Sequence, residues 1–437
     1  MGGVHLPPGS LLCFFTLANT LIYLDRGVIG VITTQATLEV LASKQEMDLS
    51  GTSAGALGSI FILGFMLSSP VFAYCAQSIA VPTLIGSGLL IWSLSTLCAG
   101  LATDYWMLLL ARAVTGVGEA AIVCLVPPLV LDTAPSDKKT VLSRQLWVSV
   151  FYSAMVVGYA LGFIFGQGTT ELLGSWRAPF LIESALMLPF TLLSFCLCSN
   201  WGAQASPEPT SLKSQLQRLA TNPVFCLIVA GYSSFAFTVG GMAFWGSTLI
   251  HCTYGVSPTV AALSMGTLTV LCGVVATFLG SVYMDFRLKS AQTMADVGEI
   301  SEKRLRALRT EVACSISFTA IALGAVVGTL AALFRSYAYF LAGFSTAEFL
   351  LFLYLLSSST GPLAMAVMSS VSADLRAQAN AISVFLMHLL GDFPSPYLVG
   401  VASQWVGREW GLFMLVLWLF VGVVAWGLAW LLAVSAM

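Results

Sequence analysis

Hydrophobic positions in this 437-residue chain fall in long, nearly uninterrupted blocks separated by short polar gaps. Twelve blocks reach the roughly 20 mostly apolar residues that a bilayer-crossing helix needs. They are residues 10–32, 52–77, 80–101, 105–131, 146–168, 178–199, 222–250, 256–284, 312–334, 337–360, 377–404 and 410–436. The tenth stays apolar past its nominal end, because SSSTGPLAMAVMSS runs on across Pro362. Three gaps are long: residues 33–51, the polar and proline-bearing 200–221, and 285–311, which hold the densest charge in the chain. The pattern predicts an all-α membrane protein with 12 transmembrane helices. It divides into an N-terminal six-helix bundle over 1–199, a central linker over 200–221 and a C-terminal six-helix bundle over 222–437. Two such bundles around a polar hinge can rock against each other. Within the charged gap, Val297, Ile300, Leu305 and Leu308 alternate with charges, so 296–311 reads either as a solvated loop or as an amphipathic helix on the membrane surface.

Composition leads to the same class. Charged residues make up 9% of the chain, against about 25% in soluble domains. Hydrophobic residues reach 58% and the mean hydropathy is +0.90. The net charge of −2 says little, but the placement of charge says more. With 12 spans both termini share one side. Loops on that side carry twelve Lys and Arg against four on the other. The positive-inside rule then predicts cytosolic termini. No basic n-region of a cleavable signal precedes the first span, and Leu6 occupies the Ser/Thr position of a myristoylation signal. The ten cysteines follow no metal or redox spacing and read as packing residues.

The spans contain ionisable residues: Asp25, Arg26, Arg112, Glu119, Glu348, His388 and Asp392, with Glu183 nearer the start of its span. Each charge costs about 2.5–3.5 kcal/mol at a helix centre on insertion scales, and such residues mark substrate or proton pathways or hold helices together as buried pairs. Asp25 and Arg26 are adjacent in LIYLDRGVIG. Adjacent helical side chains point about 100° apart and do not face each other. Each therefore needs a partner on another helix or in a ligand. Span four, LLLARAVTGVGEAAIVCLVPPL, offers both signs. Arg112 and Glu119 are two turns apart on one stripe, with a rise of about 10.5 Å between them. The expectation is Asp25 with Arg112, and Glu119 with Arg26 or a phosphate. Gly116 and Gly118, flanked by those charges, favour a cavity over helix packing. Gly158, Gly162 and Gly166 in span five form a small-residue ridge for close packing, one that could also slide during rocking. In span eleven, FLMHLLGDFPSPYLVG, His388 and Asp392 stack at i, i+4. Gly391, Pro394 and Pro396 then interrupt the helix, which is tolerated at membrane depth where the backbone is buried or lines a cavity. A histidine there can change charge near neutral pH; a kinked packing helix is the alternative.

The chain has no Walker A sequence and no HExxH or GxSxG. It also has no TVGYG-like filter. ATP-driven pumping, intramembrane hydrolysis and potassium-type conduction are thus unsupported, and a secondary transporter is left; no enzyme, cofactor, metal or nucleic-acid partner is expected.

The motifs IYLDRGVIG, LLLARAVTGVGEA, LATNPVFCLIVAGYSSFAFTVGGMAFWGSTLI and HLLGDFPSPYLVG together resemble the Spinster family of the major facilitator superfamily. That resemblance implies a major facilitator fold and a secondary transporter of lysophospholipids or sphingosine-1-phosphate, in some members proton-coupled at lysosomes. It places Asp25, Arg26, Arg112 and Glu119 on the family's proton and headgroup cluster, Glu348 near an acidic position of span ten, and His388 and Asp392 on the span-eleven motif. The sequence departs from the family's pattern at Ile22, where Asn is usual. It departs again between spans two and three, where Gln77 and Ser78 replace an Asp-Arg latch and Val81 and Pro82 a basic pair. The reading is a monomeric carrier in an endomembrane such as the lysosome, moving an anionic amphiphile with protons. Arg26 and Arg112 would hold phosphate, Glu119 and Asp25 would exchange protons, and Phe235, Phe237 and Trp245 would line an acyl-chain surface. A small organic anion or sugar as cargo, or a non-transporting receptor, are the alternatives.

Overall fold

The computed structural model describes residues 6–32, 51–76, 78–133, 144–197, 212–296, 300–333, 360–372, 375–407 and 410–435. The first half contains α1 (Pro8–Ile32), α2 (Gly51–Cys75), α3 (Val81–Gly100), α4 (Tyr105–Thr133), α5 (Arg144–Leu173) and α6 (Ala178–Cys196). A short helix, α7 (Leu212–Ala220), lies inside the expected linker. The second half contains α8 (Pro223–Tyr254), α9 (Pro258–Asp296), α10 (Glu302–Leu333), α11 (Thr360–Ser369), α12 (Arg376–Met387), a π-helical turn (His388–Asp392), α13 (Pro394–Trp405) and α14 (Trp410–Ser435). Among the described residues, ten helical segments are long and apolar enough to cross a membrane, the broken α12–α13 counting as one. The 39-residue α9 covers the eighth expected span. The tenth, 337–360, falls almost wholly outside the described residues, as do Glu348 and Gln77.

The charged gap differs from expectation. Helix α9 runs on to Asp296 and α10 already begins at Glu302. Most of 285–311 is therefore the stem of two spans, neither a loop nor a separate surface helix. Leu288 and Leu305 are buried on the stems' inner faces. Arg287, Lys289, Lys303 and Arg304 are exposed, and Arg309 donates to Gln292 Oε1 at 2.5 Å from one stem to the other. The backbone's own hydrogen bonds keep a helix going past the point where apolar residues end.

Polarity is inverted relative to a soluble globule. Leu67, Leu94, Leu110, Leu192, Val424 and Leu431 are more than half exposed, while Asp25, Arg112, Glu119 and Glu183 are buried. Four of the described cysteines, Cys13, Cys98, Cys196 and Cys226, lie on that outer surface and are not packing residues.

Close glycine contacts set the helix pairs. Helix α1 rides parallel to α5, with Gly158 against Thr20 and Tyr23, Gly162 against Leu24 and Gly27, and Gly166 against Val28. The ridge thus packs within one half and offers no sliding surface between halves. Helix α14 runs antiparallel to α8, with Gly231 on Trp426 and Gly411 on Leu249. Helix α9 runs antiparallel to α5, with Gly266 on Ala160 and Thr259 hydrogen-bonded to Glu171. Followed through these pairs, the start of α1 and the end of α14 lie at the same face of the molecule. At the opposite face the halves meet. There Gly51 packs on Gly400, Gly55 on Pro396, the Thr52 hydroxyl donates to Gln404 Oε1 at 2.6 Å, and the Tyr397 N–H donates to Ser59 Oγ at 3.2 Å.

Candidate functional site

Helix α1 carries Asp25 and Arg26 in mid-span, and α4 presents Arg112 and Glu119 to it. Arg112 Nη1 donates to both Asp25 oxygens at 2.7 Å each. Arg26 forks onto Glu119, with Nε donating to Oε2 at 3.3 Å and Nη2 to Oε1. The two adjacent residues of α1 thus take separate partners, in the pairing that helix geometry predicts. The pairs differ in access. Asp25 and Arg112 are 0% and 1% exposed, whereas Arg26 is 10% exposed above a wholly buried Glu119.

Aromatic rings complete the setting. Phe61 of α2 lies between the two guanidinium groups, its centroid 4.8 Å from Arg26 and 4.9 Å from Arg112. Tyr23 and Phe65 also face Arg26, at 4.9 and 5.8 Å. A cation over an aromatic face in a desolvated site gains about 2 kcal/mol. These rings therefore offset part of the cost of burying two arginines.

A cavity of about 50 Å³ lies between the halves, with Arg26, Arg112 and Tyr159 on one wall and Phe244, Asp392 and Pro396 on the other. At roughly 10–15 Å³ for each water, it admits a few waters and no lipid chain. Asp25 and Glu119 sit behind the arginines, so the first half's wall presents cations to the cavity and the far wall presents Asp392.

The span-eleven motif reaches the same cavity. His388 Nδ1 and Asp392 Oδ2 are 2.9 Å apart, and Asp392 faces the arginines from the far wall. The His388 ring stands edge-on to Phe65 at 5.3 Å. Phe65 thus touches Arg26 of one half and His388 of the other. The turn itself is π-helical: the Phe393 N–H donates to the His388 carbonyl at 2.9 Å, and Pro394 has no N–H to continue an α-helical ladder. Gly391 presses on α8, where a Cβ would lie 2.6 Å from the Ser233 carbonyl oxygen.

Several expectations are corrected. Gly116 packs on the Phe61 and Phe65 backbone of α2, and Gly118 on Gly88 and Trp92 of α3. Both are helix-packing glycines and open no cavity. Phe235, Phe237 and Trp245 are buried: Phe237 stacks on Trp418 at 4.6 Å and the Trp245 indole donates to the Pro396 carbonyl at 2.9 Å. They belong to the second half's core and form no open acyl-chain surface. Phe61 and Tyr159, which line the cavity, and Phe65, which faces Arg26 and His388, are site residues that the sequence does not single out. The i, i+4 spacing of the two phenylalanines, one turn from a charged neighbour helix, is the only signal they leave.

Comparison with known proteins follows the same lines. A sequence model of the Major Facilitator Superfamily matches residues 15–396. The chain is 31% identical over 94% of its length to a probable sphingolipid transporter, spinster homolog 2, of Arabidopsis thaliana, covering 84% of that protein. It is 30% identical over 92% of its length to protein spinster homolog 1 of Mus musculus, covering 73% of it. Among solved structures, it is similar to a bacterial homolog of the human lysosomal transporter Spinster in an inward-facing, unoccupied conformation. That match has a TM-score of 0.76 at 17% identity over 98% of both chains.

Proposed function

This chain belongs to the Spinster family of the major facilitator superfamily and is a multi-pass membrane transporter, and from that premise we propose that it carries a single-chain phosphorylated lipid in a proton-linked cycle. The observation that carries this reading is the cavity wall: two arginines face the space between the halves, each neutralised by a carboxylate from the facing helix. An arginine suits bidentate contact with phosphate. The phosphate must compete with the carboxylate, and protonation of the carboxylate releases the arginine. Ligand and proton then act on one pair of states, which coupling requires.

Arg26 is the first phosphate contact, because its pair is the more accessible, and Glu119 takes the proton that frees it. Arg112 and Asp25 form the deeper pair. Asp392 faces the same cavity from the second half, with His388 paired to it. The lipid chain has no room in a cavity of this size, so it enters only as the halves part at the face bearing the chain ends. Residues 1–199 and 222–437 move as two bundles about the 200–221 linker, with both termini cytosolic, in an endomembrane, as a monomer. The Arabidopsis relative, a probable sphingolipid transporter, supports a sphingolipid, and the chemistry suits a lysophospholipid equally.

The test uses proteoliposomes with labelled sphingosine-1-phosphate, lysophosphatidylcholine and glycerol 3-phosphate under a pH difference. Wild type is expected to move one or both lipids and not the chainless ester. Glu119→Gln and Arg112→Ala are expected to lower uptake at least tenfold and to flatten its pH dependence. Unchanged uptake and pH profile in both variants would sink the mechanism, and transport of glycerol 3-phosphate alone would make the cargo a small organic anion.

A further inference from the structure

Glu183 of α6 is the buried acid that this scheme leaves unused. Its side chain is wholly buried, and neither carboxyl oxygen has a hydrogen-bond partner. Asp25 and Glu119, just as buried, are each held by a guanidinium. Packing fixes the level at which Glu183 sits. Gly100 lies against Leu181 and Gly86 against Phe195, so α3 runs antiparallel to α6 with Cys98 level with Glu183 and Thr96 within a turn of it. Asp25 of α1 and Arg112 of α4 are the charged groups that act on it. Helix α3 adds no carboxylate or basic group there: Cys98 at that level is exposed, and the indole N–H of Trp92 and the hydroxyls of Ser93 and Thr96, within two turns, are buried and unpartnered. On α5, Tyr159 lines the cavity beside Arg26, and Glu171 is bonded to Gln167 and Thr259.

The charges around Arg112 therefore do not balance if every acid is ionised. One guanidinium faces two carboxyl groups, and the other guanidinium of the cluster is taken by Glu119. A buried carboxylate without a donor is far costlier than the neutral acid, and the neutral acid needs no counter-charge. Arg112 binds Asp25 through Nη1, while its Nε has no partner.

We propose that Glu183 carries a proton in this conformation, and that Asp25, Arg112 and Glu183 form a proton-exchange site separate from the Arg26–Glu119 headgroup site. When the halves part and water enters, the Glu183 O–H bond breaks and the proton passes to that water. The carboxylate left behind takes the free Nε–H of Arg112, and reclosure returns the proton. The role in transport rests on the proton-linked reading above; the protonation of Glu183 does not.

Two measurements keep these apart. Infrared difference spectra of the purified full-length protein, in water and in D₂O, are expected to show the carbonyl band of a protonated carboxylic acid near neutral pH. The band should vanish in Glu183→Gln, shift in Glu183→Asp and persist in Glu119→Gln. In proteoliposomes, Glu183→Gln, which fixes the neutral form, should cut pH-driven lipid uptake at least tenfold. A band that survives in Glu183→Gln, or is absent from wild type, overturns the proposal. A band lost in Glu183→Gln from a wild type whose transport ignores pH upholds the protonation and overturns proton coupling instead.

Discussion

Among the described residues Arg112 is the largest charged side chain fully enclosed, and it holds both oxygens of Asp25 with one nitrogen. Removing one member of a buried pair strands the other charge, at a cost of about 3–5 kcal/mol. Arg112→Met is therefore expected to lower the unfolding temperature in detergent markedly, and Arg26→Met less, because Arg26 sits at the cavity edge. Combining Arg112→Met with Asp25→Asn should restore most of the loss, since no stranded charge then remains at Asp25. Thermal unfolding followed by tryptophan fluorescence checks the order, and equal losses in the two single variants would refute it. The ion pairs were legible in the sequence because intramembrane charges are rare, and because adjacent residues on one helix cannot neutralise each other. The rings around them were not. A phenylalanine in a span looks the same whether it meets lipid, core or a guanidinium. Gly116 and Gly118 misled for a related reason: charged neighbours say that a helix is buried, not what its glycines touch.

At the scale of the helix, glycine contacts decide how closely partners lie. A Cβ at Gly162 would fall 2.8 Å from the Gly27 Cα and closer still to the Leu24 carbonyl oxygen. Overpacking of this kind costs about 1–3 kcal/mol, so Gly162→Ala should destabilise the first half. Gly168 on the same helix has open space around it, and Gly168→Ala should leave stability unchanged or slightly raised through helix propensity. Differential thermal shifts of the two variants test this, and similar losses in both would contradict the ridge geometry. Helix existence was legible for every described span because the apolar blocks are long. Helix ends were less so at α9 and α10. Hydropathy marks where the apolar layer stops, whereas a helix stops where its hydrogen bonding does, and the charged stems continue past that layer.

At the scale of the whole molecule, composition alone gave the class, but no sequence pattern says which helix of one half meets which of the other. The structure seals the face opposite the chain ends along α2 and α13. If transport needs that seal to open, a covalent tie there must stop it. In a background lacking the other exposed cysteines, Thr52→Cys with Gln404→Cys is expected to cross-link on oxidation and to lower uptake at least tenfold, with recovery on reduction. Full transport by the cross-linked protein would rule out opening at this face. The π-helical turn gives the seal a property of its own, which is angular phase. Each residue of an α-helix turns the chain by about 100°, and the wide turn at His388–Asp392 absorbs one residue more than an α-helical turn would. The faces of α12 and α13 are therefore out of step by one residue. Deleting a residue from the turn would bring them into step and swing Pro396 and Gly400 about a quarter-circle away from α2, unfastening the seam without changing any residue in it.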